Sequence, residues 1–181
     1  MKLSKFQVGK RYSRALYEVA QDNGNLDETL EEIYSLKAVF DENPELSVAL
    51  STRSISMKDK KNILDALSSQ YSDLLKNFLS MVLDRDRMNA ITEIVDSFVA
   101  RYDLDHGIVE ATATTSVPLS KEQEENLINV VKQRFSVKQV NLKSVVDESI
   151  LGGVILRVGD NVIDGSVIKK FNNIKNLLAS N

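Results

Sequence analysis

Few residues in this chain could carry out chemistry, and their spacing narrows the choice further. Among 181 residues there is no cysteine and a single histidine, His106. Disulfides, thiolate nucleophiles and cysteine-based zinc sites are therefore excluded. A Ser-His arrangement would rest on His106 alone. Its neighbourhood, Asp105-His106-Gly107, reads as a linker or turn, with no serine on a strained strand-to-helix turn to act as nucleophile. The chain has neither a G-x-x-x-x-G-K-[ST] phosphate loop nor a G-x-G-x-x-G fingerprint. Gly152-Gly153 opens a strand rather than a helix and reads as a bulge or a close backbone approach. The carboxylate pairs Glu31-Glu32 and Glu124-Glu125 fall on amphipathic helices and read as solvated faces. Asp84-Arg85-Asp86-Arg87 reads as a helix cap closed by local ion pairs, each worth about 0–1 kcal/mol. One latent anion site remains, the backbone N–H groups of Gly165, Ser166 and Val167 at a helix start. No catalytic, metal-binding or cofactor-binding residue is assigned.

Composition limits the partners. Lys and Arg number 23 and Asp and Glu 26, a net charge of −3. That balance argues against bulk binding to nucleic-acid phosphates, which needs a basic footprint. A hydrophobic fraction of 43% excludes wholesale disorder. No uncharged apolar run approaches the ~20 residues of a membrane-spanning helix. Lys2, Lys5, Lys10, Arg11 and Arg14 precede the first acid, Glu18, superficially like a transit peptide. No secretory apolar core or cleavage-like linker accompanies them, so the segment is read as mature protein.

The elements that must position these residues differ between two halves. Residues 1–105 hold nine of the eleven aromatics, and residues 106–181 hold five of the seven glycines. The first half reads as six helices. Ser4-x-x-Gln7 is a capping box, followed by Val8, Tyr12, Ala15, Leu16 and Val19 on one stripe. Gly24 stops that helix and Asn25-x-x-Glu28 opens the next, with Leu26, Leu30, Ile33, Leu36 and Phe40 on one face. Pro44 starts a short third, Ser56 caps a fourth and Ser72 a fifth, and a sixth carries Ile91, Ile94, Val95, Phe98 and Tyr102. The second half changes period. Ile108 to Thr115 reads as a strand, Ser120-x-x-Gln123 caps a helix, and Val140 with Leu142 marks a second strand. Val154 to Val158 and Val162-Ile163 read as a hairpin around Gly159-Asp160-Asn161. Asp164-Gly165-Ser166 caps a last helix carrying Val167, Phe171, Ile174 and Leu178. The fold class is thus an N-terminal all-α six-helix bundle plus a small C-terminal α+β domain.

Two surfaces could serve binding. The first helix gathers basic residues near its N-terminus, the unfavourable end for positive charge, which suggests either plain solvation or an acidic partner. The fifth helix is apolar over more than one narrow stripe, through Leu74, Leu75, Phe78, Leu79, Met81, Val82 and Leu83. Such a helix is either central in the bundle or lines a groove. The last helix carries Lys169, Lys170 and Lys175, a solvated face in the simplest reading.

The stretch from Val146 to Val167 resembles the C-terminal signature of the ATP synthase delta subunit family, which includes the mitochondrial oligomycin-sensitivity-conferring protein. Asp147, Gly152, Gly153, Arg157, Gly159, Asp164 and Gly165 carry that resemblance. Arg11-Tyr12-Ser13-Arg14-Ala15-Leu16-Tyr17-Glu18-Val19-Ala20 is similar to the family's opening helix, so the likeness spans nearly the whole chain. One departure follows the fifth helix. Where the family often has an acidic-Asn-Gly-Arg turn, this chain has Asp84-Arg85-Asp86-Arg87.

The resemblance implies a non-catalytic stator subunit of the rotary, proton-translocating ATP synthase, without cofactor. It implies that residues 1–105 bind the N-terminal helix of the alpha subunit and that residues 106–181 engage the b subunits of the peripheral stalk. It further implies a place on the cytoplasmic side of the bacterial cell membrane, held there only through the complex. The family's groove lies between the first and fifth helices. On matching positions its lining comprises Tyr12, Ala15, Leu16 and Val19, with Phe78, Met81 and Val82 opposite. Helix-in-groove docking suits a static link, because each fully buried apolar side chain contributes about 1.5–3 kcal/mol. The competing expectation is a small enzyme or anion-binding protein that uses the helix start at Gly165-Ser166.

Overall fold

The computed structural model describes residues 4–159, 161–169 and 171. The chain divides into two compact units, 1–102 and 103–181.

In the first unit, hydroxyl caps and short breaks set the helix boundaries. Helix α1 (Lys5–Asp22) begins at a full capping box: Ser4 Oγ accepts from Gln7 N–H and Gln7 Oε1 accepts from Ser4 N–H. Helices α2 (Leu26–Glu42) and α3 (Glu45–Ser51) follow. Asn25 stands at the start of α2 but makes no side-chain cap bond, so its expected capping role is not met. Helix α4 (Met57–Ser68) is capped by Ser56 and α5 (Asp73–Asp84) by Ser72. A 3₁₀ turn over Met88–Ala90 leads into α6 (Ile91–His106). The helices close on one core that includes Leu16, Tyr17, Ile33, Leu36, Leu75, Leu79 and Phe98. Gly9 sits buried in α1 where a Cβ would lie 2.6 Å from the carbonyl oxygen of Glu93. Only a residue without a side chain lets α1 approach α6 that closely.

Asp105 and His106 do not form the linker expected from their composition. They are the last residues of α6, and only Gly107 separates that helix from the first strand.

The second unit is a four-stranded sheet with one helix packed on it. Strands β1 (Ile108–Thr115) and β2 (Gln139–Val146) are parallel and joined through α7 (Lys121–Phe135), which has its own capping box at Ser120 and Gln123. Strands β3 (Val154–Val158) and β4 (Asn161–Asp164) form an antiparallel hairpin beside β1, giving the order β2-β1-β3-β4. Ala111, Ala113 and Thr115 alternate inward along β1, as period-2 patterning requires. Ala111 and Ala113 form one apolar cluster with Val140, Leu156, Val158 and Val131 of α7. Most of the expected last helix, including Lys170, Ile174, Lys175 and Leu178, lies outside the described residues, as does Asp160 of the hairpin turn.

Candidate functional site

The two sites raised by the sequence have opposite outcomes. At the glycine-rich signature of the second unit, every proposed anion donor is already used. Gly165 N–H donates to Val154 O at 2.9 Å and Val167 N–H to Gly152 O at 3.0 Å. Ser166 N–H donates to Asp164 Oδ1 at 2.9 Å. That bond, with a smaller contribution from the Ser166 side chain, holds the Asp164 carboxyl below its ordinary range. An anion would displace three bonds and meet a carboxylate, so this turn is no anion cradle.

The other signature residues also serve the fold. Asp147 accepts from Ser149 N–H at 2.9 Å, and bonding to Ser149 lowers its pKa. Gly153, at φ +81°, lies where a Cβ would meet Gly165 O at 2.4 Å, the close backbone approach expected of the glycine pair. Gly159 occupies the hairpin turn, and Arg157 is exposed on β3 opposite Thr112 and Val162.

The first unit leaves a surface open. A cleft of about 510 Å³ is lined by Arg11, Tyr12 and Ala15 of α1, Met81 of α5, and Arg85 and Arg87 just beyond α5. Ala15 and Met81 are exposed, Met81 by 41%, while Tyr12 is half-buried with its ring edge-on to Phe78 at 6.5 Å between centroids. The remaining expected lining residues divide. Leu16 (2% exposed), Phe78 and Val82 (0%) belong to the core beneath and cannot be touched from outside. Val19 is exposed one turn further along α1 but does not line the cleft. The expectation that Leu16, Phe78 and Val82 line the groove is therefore corrected: they support it. The helix periodicity that put them beside Ala15 and Met81 does not separate the rim of a stripe from its centre.

Several residues have roles the sequence reading missed. Glu32, read as solvated, accepts from both the backbone N–H and the Oγ of Ser72, the latter at 2.8 Å, and so ties the start of α5 to α2. Glu124 likewise accepts from Ser144 Oγ at 2.7 Å. Asp84 pairs with Lys61 of α4 at 3.1 Å rather than with its arginine neighbours. Arg85 and Arg87 are thus left to the cleft, and no sequence signal brings them together with Arg11. Asp86 has φ +53°, the left-handed conformation. Along α1, Arg14 pairs with Glu18 at 2.7 Å, a bond that lowers the Glu18 pKa and raises that of Arg14. The second unit has an apolar cleft of its own, about 460 Å³, which includes Val117, Leu119, Leu127, Val130 and Val154 in its lining.

The described residues thus form a helical bundle followed by a small mixed domain, with an open cleft between α1 and α5. The family model of the ATP synthase delta (OSCP) subunit matches residues 8–178. The ATP synthase subunit delta of Lactobacillus acidophilus is 41% identical over 97% of this chain and 96% of its own length. That of Lactobacillus gasseri is 38% identical over the full length of both, and that of Enterococcus hirae 36% over 98% and 99%. A chain of the Toxoplasma gondii mitochondrial ATP synthase hexamer has the same fold, with a TM-score of 0.72, 21% identity and 98% of each chain covered. The chain belongs to the ATP synthase delta (OSCP) subunit family. It is a non-catalytic component of the peripheral stalk of an ATP synthase, peripheral to that membrane complex. Among the described residues no helix is long and apolar enough to cross a membrane.

Proposed function

We propose that the cleft between α1 and α5 receives the N-terminal helix of an ATP synthase alpha subunit, and that the second unit engages the b subunits of the peripheral stalk. The chain then links the catalytic head to the stalk, on the cytoplasmic side of a bacterial cell membrane, and resists the torque that would otherwise turn the head with the rotor. Neither a cofactor nor nucleic acid takes part.

The supporting observation is the cleft, open and apolar at Tyr12, Ala15 and Met81 in a chain of this family. An amphipathic helix docks in such a groove through anchors at i, i+3, i+4 and i+7. Several anchors at about 1.5–3 kcal/mol each can outweigh the cost of immobilising the partner. The apolar cleft near Val117 and Val130 gives the second unit a surface for its own partner.

Calorimetry with a peptide copying the alpha N-terminus tests the first contact. Ala15→Asp or Met81→Asp abolishes binding, and the circular dichroism spectrum and melting temperature stay unchanged because both positions are exposed. Full affinity in both variants would remove the cleft from the interface. Co-purification of the b subunits with the full chain, lost on charge insertion at Val130, tests the second contact.

A further inference from the structure

We infer that the α1–α5 cleft is built to select an acidic helix, one whose carboxylates flank its apolar anchors and meet Arg11, Arg85 and Arg87. This rests on the docking reading above and adds to it the charge of the occupant.

The argument starts from where the neighbouring cations go. Arg14 is held by Glu18, Lys61 by Asp84 and Lys76 by Asp73, and Lys10 lies over the ring of Phe6. The three arginines of the cleft make no ion pair among the described residues, although Arg11 comes from one helix and Arg85 and Arg87 from beyond the end of another. Asp86 stands between the last two in sequence but does not line the cleft. Backbone charge compensates only one side. Arg85 caps the C-terminus of α5, the favourable end for a cation, with its N–H donating to Met81 O at 3.1 Å. Arg11 lies in the second turn of α1, beyond the reach of the helix end, and the first turn contains no acid to offset it.

Three like charges round an apolar floor set a condition on what binds there. A helix that covers Ala15 and Met81 strips water from the guanidinium groups. An acidic flank replaces that water with bidentate partners, whereas a neutral or basic flank leaves the charges uncompensated. Each exposed pair is worth a factor of about 1.5–5 in Kd, so the three together act on specificity and association rate more than on total affinity.

The test uses the full chain and two peptides. One copies the N-terminus of the same organism's alpha subunit, and the other has each Asp and Glu of it replaced by Asn and Gln. At about 0.05 M salt the amide copy binds roughly tenfold more weakly, mostly through slower association, and the gap closes near ~0.5 M salt. The triple variant Arg11→Gln, Arg85→Gln, Arg87→Gln binds both peptides alike and keeps the wild-type melting curve. Equal affinity of wild type for the two peptides at low salt overturns the inference. Docking still stands in that case, provided Met81→Asp abolishes binding of both. Failure of wild type to bind either peptide overturns docking and the inference together.

Discussion

The turn around Gly153 and the cleft between α1 and α5 use backbone and side chains in opposite ways. At the turn, Gly165, Ser166 and Val167 each direct an N–H onto an acceptor within the same unit, and Gly153 leaves no room for a side chain. At the cleft, Met81 and Ala15 are exposed, and three arginines lack carboxylate partners among the described residues. The region with the most conspicuous sequence pattern is consumed by its own architecture. The cleft, lined in part by the family-like stretch of α1, leaves its apolar and charged side chains open instead. A residue string that resembles a family's signature can owe its pattern to the turn it must build, as Gly153 and Gly165 do here.

Substitutions test that contrast, beginning with the beam under the cleft. Leu16→Ala empties a fully packed site and lowers unfolding free energy by about 3 kcal/mol in urea titration. Gly153→Val forces a branched side chain into a backbone contact at positive φ, and costs about 2–3 kcal/mol with loss of amide-exchange protection in β3. Asp86→Gly relieves a left-handed residue by more than glycine's extra unfolded-state freedom costs, and raises stability by about 0.5–1 kcal/mol, measured by the shift in urea midpoint. Met81→Ala changes stability by less than about 0.5 kcal/mol while weakening the alpha peptide, the reverse of Leu16→Ala. A Leu16→Ala protein as stable as wild type, or a Met81→Ala protein that unfolds early, would erase the distinction between support and contact.

A pH measurement sharpens the other side of the comparison. The hydrogen bond from Ser166 lowers the pKa of Asp164 from its ordinary 3.8. The stabilisation from that bond is fully present above the unfolded value and is lost as pH falls through the lower, folded one. Asp164→Asn therefore flattens the acid limb of the stability curve below about pH 4 and leaves it unchanged near pH 7 relative to pH 6.

Much of this was legible in the residues. Hydroxyl-x-x-amide boxes at Ser4 and Ser120 give helix starts that match the structure, because a cap is a local device with a fixed spacing. The βαβ segment and the hairpin were likewise readable from period-2 patterning and turn residues. What escaped depends on contacts distant in sequence. Glu32 looks solvated until Ser72, forty positions away, presents its N–H and hydroxyl. Leu16 and Ala15 are neighbours on one helix, and only the packing of α5 decides which faces in. His106 sits between an acid and a glycine and reads as a turn, yet α6 continues through it.

The contact between Gly9 and the Glu93 carbonyl bears on the spacing of two helices. At Gly9 the main chain of α1 meets the main chain of α6, while two turns further on Tyr17 packs against Phe98. Any side chain at position 9 would push the two helices apart, so this one position sets how near they can lie.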